Sequence, residues 1–137
     1  MPTLQLQRQP QEWQEACWLI QWKETMLPYE DRLRWLFHCP NGEYRDKRTA
    51  VKLKAMGVLP GVADYVLPVP IAPFAGCFME LKRSGLTPAQ AWAACTPDEK
   101  RFLQAVRQQG YAGVVASGWV QAAELLCQYL LRPDLLP

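Results

Sequence analysis

Histidine is almost missing from this chain: among 137 residues only His38 carries an imidazole. That excludes a two-histidine metal site of the H-E-x-x-H kind and leaves any Ser-His-Asp arrangement a single possible base. A Gly-x-x-x-x-Gly-Lys-[Ser/Thr] loop is missing too. With nothing to cradle a nucleotide's phosphates, no nucleotide cofactor is expected. No apolar run approaches the ~20 residues of a membrane span, and the opening Met-Pro-Thr-Leu-Gln-Leu-Gln-Arg lacks a signal peptide's apolar core. The expectation is a cytoplasmic protein with no membrane partner. Cys17, Cys39, Cys77, Cys95 and Cys127 are odd in number, scattered, and form no C-x-x-C pair. Such spacing suits reduced, mostly buried thiols better than a disulfide framework or a zinc site. Net charge is small as well, at +2, so only its distribution can point to a nucleic-acid partner.

What is present is apolar bulk. Half of the residues are apolar and six are Trp, the composition of a folded globular protein. The length suits one domain, 1–137, around a single core. Pro10 and the helix formers after it predict a helix over 11–26, with Trp13, Cys17, Trp18, Leu19, Ile20 and Trp22 on nearly every side and therefore a buried one. Residues 33–39 read as a helix tail running into a strand, and Asn41-Gly42 as a turn that joins a hairpin or ends a strand. A helix over 47–56 stops at Gly57, and Pro60-Gly61 turns the chain into a strand over 63–67. Pro68, Pro70 and Pro73 make the next stretch a connection, because proline has no N–H to give to a ladder. A strand over 76–82 follows. Thr87-Pro88 and Thr96-Pro97 each pair an N-cap with proline at the first helical position, opening helices over 88–94 and 97–109. A strand over 111–116 and a helix over 119–131 complete an α/β chain with a mixed sheet.

Chemistry concentrates in the two strands around the proline run. In Cys77-Phe78-Met79-Glu80-Leu81-Lys82 the residues at i and i+2 share a face, so Glu80 and Lys82 project together while Met79 and Leu81 point into apolar packing. Asp64 enters an apolar strand after Gly61-Val62-Ala63, where an unpaired carboxylate costs several kcal/mol unless it meets a cation or donors. The two strands are expected to bring these groups together at one edge of the sheet. Two carboxylates with an ammonium beside them suit a hard divalent cation that activates water against a phosphodiester. A structural salt bridge is the plainer alternative for the acids. On strand position alone, Lys82 is the residue where the strand emerges into water. Residues 43–54 hold Arg45, Lys47, Arg48, Lys52 and Lys54 against Glu43 and Asp46, a local excess of +3. Such a patch binds phosphate or is simply a solvated helix face.

The ordered set His38-Cys39-Pro40-Asn41-Gly42, AVKLKAMGVLPGVADYVL (50–67), GCFMELKR (76–83), Gly110-Tyr111 and Ser117-Gly118-Trp119 resembles the virus-type replication-repair nuclease (VRR-NUC) domain of the PD-(D/E)XK nuclease superfamily over residues 11–131. The resemblance implies a restriction-endonuclease-like α/β core and a Mg²⁺- or Mn²⁺-dependent DNA endonuclease. By position it implies Asp64, Glu80 and the main-chain carbonyl of Leu81 as metal ligands, with Lys82 orienting or activating the attacking water. The family's first helix carries an acid followed four residues later by Gln. Glu12 aligns there with Ala16 in place of the Gln, and Glu15 remains a rival on nearly the same face.

A second departure is Glu99, which stands where the family often has a Gln facing the site; Gln90 is a less well-spaced substitute. Glu99 either joins the site or turns outward. His38 is packed at a strand end or touches substrate, and Asn41 is placed to contact the DNA backbone from its turn. Single-domain relatives resemble junction-resolving enzymes that act as dimers, which implies branched or four-way-junction DNA as substrate. The excess of Trp and the tail Tyr129 to Pro137 also point to a homodimer interface. The alternative is a DNA-binding or assembly module that keeps the nuclease fold with a decayed site, supported by the Ala16 and Glu99 departures. Hydrolysis of RNA or a nucleotide lacks any aromatic stacking motif in the sequence.

Overall fold

The computed structural model describes residues 9–40 and 46–137. Helix starts follow the local chemistry. Thr87 Oγ1 accepts the N–H of Gln90 and Thr96 Oγ1 that of Glu99. With proline next in each case, helices begin at Pro88 and Pro97, giving α3 (Pro88–Ala94) and α4 (Pro97–Gln108). Asp46 caps α2 (Lys47–Ala55) by accepting the N–H of Thr49. The first helix, α1 (Glu12–Met26), is followed by a 3₁₀ turn over Asp31–Trp35, and the last, α5 (Gly118–Leu131), by another over Pro133–Leu135. Among the described residues no helix is long and apolar enough to cross a membrane.

Four strands form one sheet in the order β1 (Phe37–His38), β2 (Tyr65–Leu67), β3 (Cys77–Lys82) and β4 (Ala112–Ser117). β1 and β2 are antiparallel, as are β2 and β3; β4 runs parallel to β3. That last pairing requires a crossover, which α3 and α4 supply. The side chains alternate along β3. Met79 and Leu81 join Leu19 of α1 and Leu126 and Tyr129 of α5 in the main core, while Phe78 on the other face meets the ring of Phe102 in α4. The sheet is thus covered on both faces.

Several expectations are corrected. The strands carrying Asp64 and Glu80 are the two central ones, not the sheet's edge, because two-residue β1 pairs outside β2 and β4 outside β3. Among the described residues β1 pairs with β2 and the element after it is α2; the Asn41-Gly42 turn lies outside the described residues. Asn41 and Arg45 lie outside the described residues. Helix α1 is not buried all round; only Glu15 and Leu19 are, and Trp13 and Trp18 are exposed. Of the thiols, Cys77 and Cys95 are buried and Cys17 is exposed. The tail is in part core, since Tyr129 and Leu130 are buried and the Tyr129 hydroxyl donates to the Val69 carbonyl.

Candidate active site

Antiparallel pairing sets Tyr65 opposite Met79, so Asp64, one residue earlier, falls opposite Glu80. Asp64 Oδ2 accepts the Leu81 N–H at 2.8 Å. The Asp64 carbonyl accepts the Cys39 N–H at 2.7 Å and lies 2.8 Å from His38 Nδ1. A carbonyl only accepts, so Nδ1 carries the proton, and Nε2 has no hydrogen-bond partner among the described residues. Burial raises the Asp64 carboxyl above its ordinary range, against the lowering pull of the Leu81 N–H.

Glu80 and Lys82 share the opposite face of β3 from Met79 and Leu81, as the period of two requires. Both are buried, Glu80 5 % and Lys82 8 % exposed. Lys82 Nζ is 3.3 Å from Glu80 Oε1 and donates to both carboxylate oxygens of Glu99 at 3.0 Å. Glu99 therefore turns inward. Burial opposes the ammonium, yet the hydrogen bond to Glu99 and the charges of Glu80 and Glu99 hold Lys82 above the usual lysine range. Burial, then the charges of Asp64 and Glu99, push the Glu80 carboxyl far up despite Lys82. The loop before β2 lies close to the start of α4: Gly61 has φ +84°, and a methyl on it would overlap the main chain of Asp98 and Glu99. Only glycine lets that loop close on the start of α4.

The two first-helix acids separate. Glu15 is 2 % exposed, and its Oε2 accepts the Trp119 N–H at 2.7 Å, a carboxylate on the first turn of α5 where the helix dipole favours it. Glu15→Ala is expected to lower stability by about 2 kcal/mol, measured by urea denaturation, because a buried helix-start donor loses its partner. Glu12 instead lines a cleft with Asp64 and His38. Burial raises its carboxyl, with Lys82, Asp64 and Glu99 as the charges it senses. Gln90 is used locally, its side chain accepting the Thr87 N–H in a capping box at the start of α3.

Asp64 thus stands between two openings. One, of about 300 Å³, is bounded by Glu12, Trp13 and His38; the other, of about 350 Å³, by Glu80, Asp98 and Glu99. Trp13 was not singled out as a site residue from the sequence; its one signal is adjacency to Glu12. The basic residues Lys47, Arg48, Lys52 and Lys54 are all exposed on α2, which buries none of its residues.

Does this donor set fit a divalent ion? Among the described residues Glu80 Oε2 is buried with no hydrogen-bond partner. Leaving such an atom bare is costly, and a cation relieves it. Among the described residues no three His, Cys, Asp or Glu side chains form a ready-made cage. An ion of the Mg²⁺ kind, held by one or two carboxylates with waters completing its shell, is compatible with Asp64 and Glu80.

No family model and no curated protein matches the sequence. A solved structure described as a VRR_NUC domain protein is similar over 90% of this chain and 90% of that chain, with a TM-score of 0.71 at 21% sequence identity. At that identity the likeness is one of fold, and it spans nearly the whole of both molecules: this chain has the fold of a VRR-NUC domain, a mixed four-stranded sheet flanked by helices.

Proposed function

We propose that this protein is a metal-dependent endonuclease that hydrolyses phosphodiester bonds in DNA. One observation carries the reading: Asp64 and Glu80 stand opposite each other across the two central strands, with Glu80 Oε2 buried and unpartnered among the described residues and the Lys82 ammonium alongside. The shared fold supports it.

Asp64, Glu80 and the Leu81 carbonyl would hold Mg²⁺ or Mn²⁺, with Glu12 the further acid on the same cleft. When bound, the ion lowers the pKa of a coordinated water and offsets charge developing on the scissile phosphate. The Leu81 N–H fixes Asp64 in a single orientation, so the donor set needs little reorganisation. Lys82 stays beside Glu80 because Glu99 anchors it, and from there its N–H groups orient the attacking water and meet the negative charge of the pentacoordinate phosphate. The exposed lysines and arginine of α2 follow the DNA backbone through contacts that carry no sequence information.

Branched or four-way-junction DNA as substrate, and a homodimer as the working unit, are the finer parts of this proposal. Exposed Trp18, Tyr29 and Trp35 supply apolar surface for a second copy. A binding module without catalysis is the second reading; the Lys82–Glu99 pair favours it, because it engages the ammonium. The decisive assay is cleavage of labelled four-way junction, splayed-arm and duplex DNA with Mg²⁺ or Mn²⁺, with an EDTA control and Lys82→Ala alongside. Junction-selective, metal-dependent cutting that disappears in the variant is the expected result. Tight binding with no cutting of any substrate would leave only the binding module.

A further inference from the structure

The opening bounded by Glu12, Trp13 and His38 has two unlike ends. At one end it shares Asp64 and Glu12 with the proposed metal site; the rest of its wall is mostly apolar, from Trp13, Ala16, Cys17 and the His38 ring. The Trp13 side chain is 64% exposed, yet its indole N–H is already donated to Gln11 Oε1 at 3.1 Å. What Trp13 still offers is its flat face. His38 is oriented from two sides: Nδ1 is tied to the Asp64 carbonyl, and the ring lies against Tyr65 with centroids 5.3 Å apart. Its Nε2 remains available to a polar edge. Ala16 contributes only a methyl to the wall.

A ligand for such a cleft has an anionic group at the carboxylate end, reached through a cation, and a flat ring with hydrogen-bonding edges beyond it. A nucleotide is built this way. Aromatic faces beside a backbone-binding groove are how proteins hold unpaired bases, since every base has a π-face to stack. A paired base inside a duplex has no free face to give.

We propose that this cleft is a subsite for an unpaired nucleobase adjoining the scissile phosphate, with Trp13 as the stacking face and His38 Nε2 as a partner for the base edge. The proposal rests on the nuclease reading of Asp64 and Glu80 and sharpens it: the substrate's reacting nucleotide, or its neighbour, is unstacked. That requirement selects branch points, flaps and single strands over intact duplex.

The test separates the subsite from the chemistry. With Ca²⁺ supplied as the bridging cation in place of Mg²⁺ or Mn²⁺, a thymidine tetranucleotide and the same strand with one central base removed are titrated into the full chain while the Trp13 indole N–H and His38 ring signals are followed by NMR. The intact strand is expected to shift both signals, and the abasic strand neither. Trp13→Ala is expected to weaken binding of the intact strand about tenfold, with Trp13→Phe keeping most of the affinity. Both variants change an exposed side chain, and unchanged thermal midpoints would show that they fold.

Equal shifts from both strands, or unaltered affinity in Trp13→Ala, would overturn the subsite. The nuclease reading is judged apart, by metal-dependent cutting. A base-dependent shift without any cutting keeps the subsite and removes the enzyme; cutting that is indifferent to an abasic position on either side of the cleaved bond does the reverse.

Discussion

Asp64→Asn is expected to lower metal-dependent cleavage at least about a thousandfold while leaving DNA affinity unchanged or slightly higher. The amide has the carboxylate's shape, and its oxygen can still accept the Leu81 N–H that Asp64 holds at 2.8 Å, so the strand junction survives. What goes is the negative charge that binds the cation. Loss of a charge-stabilising ion costs several kcal/mol of barrier, and each ~1.4 kcal/mol is a factor of ten in rate. Removing an anion from a phosphate-binding cleft does not weaken DNA binding, which distinguishes this outcome from misfolding. Single-turnover cleavage and a gel-shift titration measure the two effects. A variant that cut at the wild-type rate would eliminate Asp64 as a ligand.

The second large effect runs in the opposite direction for stability. Glu80→Gln should abolish cleavage yet make the metal-free protein more stable at alkaline pH, by about 2 kcal/mol. Glu80 is buried with one oxygen unpartnered, and its folded-state carboxyl titrates well above the ordinary 4.5. Above that ordinary value the folded protein holds a proton that the unfolded chain has released. Wild-type stability without metal therefore falls as pH rises from about 4.5 toward the raised value, and the neutral amide avoids this loss. Lys82 is not stranded by the change, because Glu99 still accepts two of its hydrogen bonds. The midpoint difference between variant and wild type should widen from pH 5 to pH 8 and shrink when Mg²⁺ is added to the wild type. A variant less stable at pH 8 would mean that Glu80 stabilises the fold through Lys82 instead of straining it.

Much of the site was legible because the relevant rules are local. The alternation of β3 places Glu80 and Lys82 on one face whatever surrounds the strand, and the two Thr-Pro pairs fix where α3 and α4 begin. The proline run excluded a central strand between Leu67 and Cys77. Each of these depends on a few neighbouring residues and the backbone they share.

The rest depends on how elements sit against one another. Glu12 and Glu15 are only about 60° apart around a helix of 3.6 residues per turn, so their sequence spacing could not choose between them; the packing of α1 on α5 did, aiming Glu15 at the Trp119 N–H and leaving Glu12 on the cleft. Glu99 points inward to meet the Lys82 ammonium, which only the packing of α4 against β3 allows. The central position of β2 and β3 follows from β1 and β4 adding outside them, a matter of sheet order that no single strand encodes. Trp13 and His38 form one wall although 25 positions separate them and no stacking motif links them in sequence. The sequence by itself determined which chemical groups each element carries and which way they alternate; tertiary packing decided which of those groups meet, because burial and helix rotation are properties of the whole core and not of any segment.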